Sequence, residues 1–252
     1  MAPSAVVNLE RTAAVVFDTD GVITDTAKGH AAAWKRVFDA FLRERAERSG
    51  ERFRPFDPDE DYLRHVDGKS RADGVRGFLD SRGIAPDPDT VAELAARKDA
   101  SFLAEIHEHG VAPFPSTVEL VRELHRRGVR TAAVSASRNC AEVLRAAGVT
   151  DLFDVRVDGM DAARLGLAGK PDPALFLQAA RQLGVPPGEA VVVEDSLAGV
   201  RAAGAGRFGV VVGVDRHGNG ESLRAAGADL VVTDLAQLRL HGRRREPLAP
   251  HL

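Results

Sequence analysis

The sequence has a single cysteine, no long apolar run and no marked excess of charge of one sign. Cys140 alone excludes an internal disulfide framework and offers no CxxC pair for a metal ion. No uninterrupted apolar stretch approaches the ~20 residues that span a bilayer, so we expect no membrane partner. The 34 basic and 37 acidic residues give a formal net charge of -3 and a pI near 6.3. This balance gives no electrostatic reason to expect a nucleic-acid partner.

The chain is long enough to bury a full hydrophobic core. It has 252 residues, of which 44% are hydrophobic and 28% are charged, so it can form one large domain or two unequal ones. Between residues 27 and 109, apolar residues recur at helical spacing and no strand signal interrupts them. We therefore predict an all-helical domain over 27–109, inserted into a domain formed by 1–26 and 110–252. Residues 241–252 are predicted to be a mobile end.

The larger domain alternates strands and helices. Six short apolar runs predict strands over 13–17, 131–135, 155–157, 190–193, 208–212 and 230–232. Helical patterns cover 117–127, 140–147 and 173–183. Because such alternation is typical of βαβ units, the fold class is α/β, a doubly wound parallel sheet with helices on both faces. Residues 1–12 lack a basic segment followed by an apolar one, so we expect a cytoplasmic protein.

Polar side chains stand where three of the predicted strands end. Asp18 and Asp20 follow the first strand, Ser135 ends the second, and Glu194 and Asp195 follow the fourth. Open α/β sheets bind ligands outside the carboxyl ends of their strands, so these side chains are candidates for one site. In extended backbone Asp18 and Asp20 share one side, and their mutual repulsion requires a cation or a shared proton.

This set of residues suits phosphoryl transfer. Carboxylates from two strands are hard oxygen ligands of the kind that Mg²⁺ prefers. Lys170 adds a positive charge, and phosphoryl transfer is accelerated mainly by positive charge and donors around the moving group. Asp18 is the candidate nucleophile, which would form an aspartyl-phosphate, and Asp20 is the candidate acid–base residue.

The same residues resemble the four motifs of the haloacid dehalogenase superfamily, in the correct order. Residues 18–22, Asp-Thr-Asp-Gly-Val, resemble motif I, Ser135 the hydroxyl of motif II, Lys170 motif III, and Glu194-Asp195 motif IV. The helical domain after motif I resembles the small C1-type cap of that superfamily. The chain is similar to the β-phosphoglucomutase-like subgroup from about residue 13 to residue 214.

The resemblance implies roles for the core residues. Asp18 would be the nucleophile, with Ser135 and Lys170 as further catalytic groups. Asp20 would be the acid–base residue and would also give Mg²⁺ a backbone carbonyl. Asp18, Asp20, Glu194 and Asp195 would together form the metal site.

The resemblance also implies a substrate site shared by the cap and a core loop. Its members would be Thr26, His30, Trp34, Gly68, Arg71 and Lys98, with Ala136, Ser137, Arg138 and Asn139 from the loop after motif II. Arg71 would bind the second, non-reacting phosphate, since a fork of donors gives a bidentate grip. Two features depart from the family pattern. Asp67 stands where a lysine precedes the cap glycine, and the cap contains an additional charged stretch over 43–61.

The resemblance implies a Mg²⁺-dependent phosphotransferase that interconverts β-glucose 1-phosphate and glucose 6-phosphate, and we expect a monomer. A sugar-phosphate phosphatase with the same residues is the main alternative. A dehalogenase would not need Asp20, and a non-catalytic sensor would lack a nucleophile or metal ligands, none of which is missing here.

Two other patterns are not expected to bind anything. Residues 204–209 spell GxGxxG, but they end a predicted helix and lead into a strand, whereas a dinucleotide fingerprint follows a strand and opens a helix. His107 and His109 lie two residues apart on a predicted helix and therefore face away from each other, which argues against a zinc site.

Overall fold

The computed structural model of the protein describes residues 5–242. Its centre is a six-stranded sheet in which all neighbouring strands are parallel, with strand order β4-β3-β2-β5-β6-β7. These strands are β2 (Ala14–Asp18), β3 (Arg130–Val134), β4 (Val155–Val157), β5 (Ala190–Glu194), β6 (Val210–Val214) and β7 (Leu230–Val232). A separate parallel pair joins β1 (Val6–Asn8) to β8 (Arg239–His241).

Nine α-helices accompany the strands within the described residues. They are α1 (Ala27–Ser49), α2 (Arg71–Ser81), α3 (Pro88–His109), α4 (Pro115–Arg126), α5 (Cys140–Ala146), α6 (Gly159–Leu165), α7 (Ala174–Gln182), α8 (Leu197–Ala205) and α9 (Gly220–Ala226). Between residues 5 and 242, no helix is both long and apolar enough to cross a membrane.

The central strands are apolar because both faces of the sheet are covered. Every residue of β2 and β5 is buried. Successive side chains point to opposite faces, so Val15 and Phe17 join one core cluster while Ala14 and Val16 join another. The predicted α/β class, with a doubly wound parallel sheet, is confirmed.

The helices α1, α2 and α3 have a hydrophobic core of their own. Trp34, Phe38, Phe78 and Leu94 are buried in it. The charged stretch over 43–61 contributes Phe56, whose ring lies 5.2 Å from that of Phe38 and is 1% exposed. The additional stretch is therefore anchored to the core of this helical unit, which is called the cap below.

Hydrogen bonds also tie the stretch 43–61 to the helices of the cap. The carboxylate of Asp61 accepts a hydrogen bond of 2.5 Å from Arg82, just after α2. The backbone carbonyl of Phe56 accepts another from Lys35 at 2.9 Å. A five-residue π-helical turn, Tyr62–Val66, follows the stretch and leads toward α2.

The structure corrects the position of one strand and adds elements that the sequence patterns missed. The run predicted over 208–212 forms β6 at Val210–Val214 instead, because Val210 and Gly213 pair with β5 while Phe208 packs edge-on against Phe176 at 6.1 Å. The short pair β1 and β8 was not predicted. His241 belongs to β8, where it pairs with Asn8, rather than to a mobile end; residues 243–252 lie outside the described residues.

The GxGxxG run is a helix end, as predicted. It begins inside α8 and leads into β6. His107 and His109 also face apart, since His107 lies 3.3 Å from Glu142 and His109 lies 3.3 Å from Glu105.

Candidate active site

Three adjacent strands bring the predicted motifs to one edge of the sheet. In the order β3-β2-β5, Asp18 ends β2, Glu194 ends β5, and Ser135 directly follows β3. Because the strands are parallel, their carboxyl ends face the same side. Lys170 enters from the loop before α7.

Lys170 is the positive centre of this edge. Its side chain is 1% exposed, and its ammonium group donates hydrogen bonds to Asp18 Oδ1 and to Glu194 Oε1. The ammonium also lies 4.8 Å from the centre of the Phe176 ring. Burial opposes its protonation, but the two carboxylates outweigh burial and raise the pKa of Lys170 above the ordinary value. Lys170 is therefore a permanent cation between two carboxylates.

Negative charge nevertheless remains in excess at this edge. Burial raises the pKa of Asp18 well above its ordinary value, and the charges of Glu194 and Asp20 add to that effect while Lys170 opposes it. Burial and the charges of Asp67 and Glu194 likewise raise the pKa of Asp195. One lysine does not balance these groups, so the edge favours the arrival of a further cation.

Glu194 is held in place by Ser196, a residue that lies outside the four motifs. Its Oε2 accepts hydrogen bonds from the Ser196 backbone N–H at 2.7 Å and from the Ser196 hydroxyl at 2.9 Å. Ser196 is also the N-cap of α8, where its hydroxyl accepts from the Gly199 N–H at 3.0 Å. A serine directly before a helical pattern is the signal that could have marked this residue.

Asp20 lies in a separate hydrogen-bonded group. Its Oδ1 accepts a hydrogen bond of 2.5 Å from the Thr26 hydroxyl and lies 3.1 Å from His30 Nε2, while its Oδ2 lies 3.4 Å from the Ser135 hydroxyl. Burial alone would raise its pKa, but His30 and Thr26 outweigh burial, so the pKa of Asp20 lies below the ordinary value. Asp20 is an ionised acceptor, whereas burial favours the protonated form of Asp18.

Gly21 lets the chain turn immediately after these carboxylates. Its φ is 79°, in the left-handed region. A Cβ at this position would lie 1.7 Å from Asp195 Oδ2. A side chain would therefore displace the carboxylate of the neighbouring strand end.

A cap lysine reaches Asp20 through a histidine. Lys98 Nζ lies 2.5 Å from His30 Nδ1, and the His30 ring stacks on Phe102 at 3.8 Å between ring centres. Burial lowers the pKa of Lys98 to about 7 and also lowers the pKa of His30. A neutral His30 that donates from Nε2 to Asp20 and accepts at Nδ1 from Lys98 satisfies all three groups.

The predicted residues occupy different positions around one pocket between the cap and the sheet edge. Those that line it are Asp18, Asp20, His30, Trp34, Gly68, Arg71, Lys98, Ala136, Ser137, Lys170 and Asp195. Thr26, Ser135 and Glu194 are buried and contact the lining residues Asp20 and Lys170. Arg138 and Asn139 line an adjoining open cleft instead.

Arg71 and Asn139 share one acceptor. Asp99, on α3, forms an ion pair with Arg71 through its Oδ1, and the same oxygen accepts a hydrogen bond of 2.6 Å from Asn139 Nδ2. Sequence patterns did not single out Asp99, because a single acid on a charged helix has no distinguishing signal.

The cap also contributes Tyr62 and Asp67 to the pocket wall. Burial and the charge of Glu194 raise the pKa of Asp67 to about 7, and a hydrogen bond with Tyr62 opposes this shift. Asp67, which departs from the family pattern described above, thus brings a carboxyl group to the pocket at the sheet edge. Tyr62 lies in a segment that gave no motif.

The donor set fits Mg²⁺. No three His, Cys, Asp or Glu side chains between residues 5 and 242 are grouped closely enough to hold a metal ion by themselves. Mg²⁺ does not require such a group, since it keeps several waters and takes one or two carboxylates together with substrate phosphate oxygens. The buried carboxylates of Asp18, Glu194 and Asp195, only partly balanced by one lysine, supply hard oxygen ligands and the negative charge that a divalent cation would neutralise.

Comparison with known proteins agrees with this geometry. The profile of the family described as haloacid dehalogenase-like hydrolase matches residues 12–207. A β-phosphoglucomutase of Mycobacterium bovis is 46% identical over 241 residues, which cover 91% of this chain and 92% of that protein.

Two solved structures are similar over most of the chain. The β-phosphoglucomutase of Clostridium difficile has a TM-score of 0.72 and 28% identity, and the match covers 90% of this chain and 93% of the other. A CbbY mutant of Rhodobacter sphaeroides in complex with xylulose-(1,5)bisphosphate has a TM-score of 0.70 and 27% identity, with coverage of 91% and 97%. The chain is thus an enzyme, a phosphotransferase or phosphatase, and it belongs to the β-phosphoglucomutase-like subgroup of the haloacid dehalogenase superfamily.

Proposed function

We propose that the protein is a Mg²⁺-dependent β-phosphoglucomutase, which converts β-glucose 1-phosphate to glucose 6-phosphate through an aspartyl-phosphate. The observation that carries this proposal is that Asp18 and Arg71 line one pocket, Asp18 from the sheet edge and Arg71 from the cap. A mutase needs a nucleophile for one phosphate and a separate grip for the other.

Asp18 would accept the phosphoryl group. Its carboxylate would attack phosphorus, the bond from phosphorus to the sugar oxygen would break, and the sugar would leave as an alcohol after taking a proton. Lys170 touches Asp18 and would place positive charge beside the moving group. Ser135 and the backbone of the loop that follows it would supply further donors.

Asp20 would move the proton. It would protonate the leaving sugar oxygen and later remove a proton from the sugar hydroxyl that attacks the aspartyl-phosphate. Thr26 and His30 hold its Oδ1, so Oδ2 would be the oxygen that transfers the proton.

Mg²⁺, when bound, would neutralise charge on the phosphate oxygens. Asp18, Glu194, Asp195 and the backbone carbonyl of Asp20 would hold it. Ser196 would act on this site indirectly, by fixing the orientation of Glu194.

The helical cap would close the site from water. We propose the domain division that the sequence patterns predict, with the cap over 27–109 and the core over 1–26 and 110–252. Gly68 of the cap lies so close to the core that a Cβ there would be 2.2 Å from Ser196 Oγ. Exclusion of water lets a phosphoenzyme return its group to a sugar rather than to water. A monomer and a cytoplasmic location stay predictions.

The test is a paired assay on β-glucose 1-phosphate with Mg²⁺. One channel measures glucose 6-phosphate and the other measures released inorganic phosphate, with and without added glucose 1,6-bisphosphate. The proposal expects glucose 6-phosphate as the main product, stimulation by the bisphosphate and little inorganic phosphate. Stoichiometric release of inorganic phosphate would instead establish a sugar-phosphate phosphatase that uses the same residues.

A further inference from the structure

We propose that Asp99 stands in for the non-reacting phosphate when no substrate is bound, and that it thereby determines which ligands the cap accepts. A single oxygen, Asp99 Oδ1, accepts from Arg71 Nη1 and from Asn139 Nδ2, the latter at 2.6 Å. Arg71 belongs to the cap helix α2, whereas Asn139 precedes α5 of the core. The carboxylate therefore bridges cap and core as a bound phosphate would.

The chemistry of this acceptor matches that of a phosphate oxygen. Partial burial alone would raise the pKa of Asp99, but hydrogen bonds from Arg71 and Asn139 outweigh burial and keep the pKa below the ordinary value. Asp99 is thus an ionised group that only accepts hydrogen bonds. Its side chain is 31% exposed and that of Arg71 is 18% exposed, so solvent screens the pair only in part. A phosphate offers the same interaction with more oxygens and more charge.

Two other cations of this wall are already engaged. Lys69 donates to the backbone carbonyl of His65 at 3.0 Å, and Lys98 contacts His30. A second phosphate that binds Arg71 would therefore have to take this residue from Asp99. This inference rests on the proposed function, since it takes Arg71 as the ligand of that phosphate.

A ligand can therefore bind to Arg71 only if it displaces the Asp99 carboxylate. A ligand that places no phosphate at Arg71 gains nothing from this residue, because the Asp99 carboxylate is a partner that is already in place. A dianionic phosphate has the larger charge and replaces it, but part of its binding free energy is used to displace Asp99. Removal of the Asp99 charge should therefore strengthen phosphate binding, whereas removal of a purely structural contact would weaken it.

The first experiment titrates inorganic phosphate into the full-length protein by calorimetry, in the presence of a chelator that removes divalent ions. Asp99→Asn keeps the shape of the side chain and removes its charge. We expect it to lower the Kd for phosphate about tenfold, which corresponds to about 1.4 kcal/mol. The matched control is Asp80→Asn, an exposed acid at the end of the same cap helix that holds Arg71, which should leave the Kd unchanged. An unchanged or higher Kd in Asp99→Asn would overturn the proposal.

A second comparison locates the phosphate that is measured. In an Arg71→Ala background, Asp99→Asn should no longer change the Kd for phosphate. If the same tightening persists without Arg71, the effect comes from another anion site and the proposal is wrong.

A kinetic measurement distinguishes failure of this inference from failure of the proposed function. With β-glucose 1-phosphate, Asp99→Asn should lower KM by about the same factor as the Kd for phosphate. Suppose that neither the unmodified protein nor Asp99→Asn forms glucose 6-phosphate, while the Kd for phosphate still falls in Asp99→Asn. The proposed function then fails and the role of Asp99 stands. If glucose 6-phosphate forms and KM does not fall, the proposed function stands and the role of Asp99 is refuted.

Discussion

The two sides of the pocket handle charge in opposite ways. At the sheet edge, Lys170 contacts both Asp18 and Glu194, and burial together with the neighbouring carboxylates raises the pKa values of Asp18 and Asp195. On the cap side, charged groups have partners of their own.

The pairing on the cap side is complete for its two main cations. Arg71 is bound to Asp99, and Lys98 is bound to His30. Under the proposed function, the sheet edge would receive a cation and a phosphoryl group, while Arg71 and Lys98 of the cap would exchange these internal partners for ligand groups. In this account the core would carry out the chemistry and the cap would select the ligand.

Replacement of Asp20, on the core side of the pocket, is expected to have the largest effect on activity. Asp20→Asn keeps the hydrogen-bonding shape but cannot accept a proton, so kcat for glucose 6-phosphate formation should fall by about 10² to 10⁴. Stopped assays at saturating β-glucose 1-phosphate would measure it. The matched control is Asp25→Asn, an exposed acid in the same loop, which should retain full activity. A loss below tenfold would contradict the assigned acid–base role.

Arg71 tests the cap side. Arg71→Ala removes the grip on the second phosphate, and hydrogen bonds to charged groups contribute about 1.5–3 kcal/mol, so kcat/KM for the sugar phosphate should fall roughly 10- to 150-fold. Hydrolysis of p-nitrophenyl phosphate needs a phosphate only at Asp18 and none at Arg71, so it should fall much less. Arg76→Ala, on the exposed side of α2, provides the control. Equal losses with both substrates would show that the cap does not discriminate through Arg71.

Gly21 tests how tightly the strand ends of the core are packed. Gly21→Ala and Gly83→Ala both place a side chain at positive φ, 79° and 70°, which costs about 1–2 kcal/mol in each case. Only the Cβ at position 21 would collide with Asp195, whereas nothing lies within 4 Å of position 83. Urea unfolding should therefore show a larger loss of stability for Gly21→Ala. Equal losses would mean that Asp195 moves aside without cost.

The pH dependence of stability tests whether Lys98, on the cap side of the pocket, is shielded from water. Burial lowers its pKa from 10.5 to about 7, so below pH 7 the folded state bears the full cost of a buried charge. Between about pH 7 and 10.5 the folded state loses this proton before the unfolded chain does, and the free energy of unfolding should rise by at most about 1.4 kcal/mol per pH unit. Lys98→Met should lack this rise, whereas Lys28→Met, at an exposed position of α1, should retain it. Parallel pH profiles for all three proteins would contradict the shifted pKa.

The fold of the core could be predicted from the sequence because its signals are local. A strand buried on both faces must be a short apolar run, so β2 and β5 are visible directly, and a parallel sheet then places Asp18 and Glu194 at one edge. The short pair β1 and β8 was missed because in each of these strands only the middle residue is turned away from solvent, so neither forms a buried apolar run.

The cap side could not be predicted to the same depth. Arg71, Lys98 and His30 were identified by resemblance, but Asp99 was not. The contacts of Arg71 with Asp99 and of Lys98 with His30 depend on how three helices pack, and no spacing in the sequence shows that packing. Ser196 lay one residue beyond the last motif. Its role became visible only when its hydroxyl and backbone N–H were found on Glu194.

The central claim is that Asp18 carries the phosphoryl group, and the most direct measurement is to trap that group. The protein is mixed with Mg²⁺ and radiolabelled acetyl phosphate, quenched in acid and cut into peptides. The account predicts label on the peptide that contains Asp18, and neither label nor turnover in Asp18→Asn. Label on a different residue, or glucose 6-phosphate formation by Asp18→Asn, would contradict it.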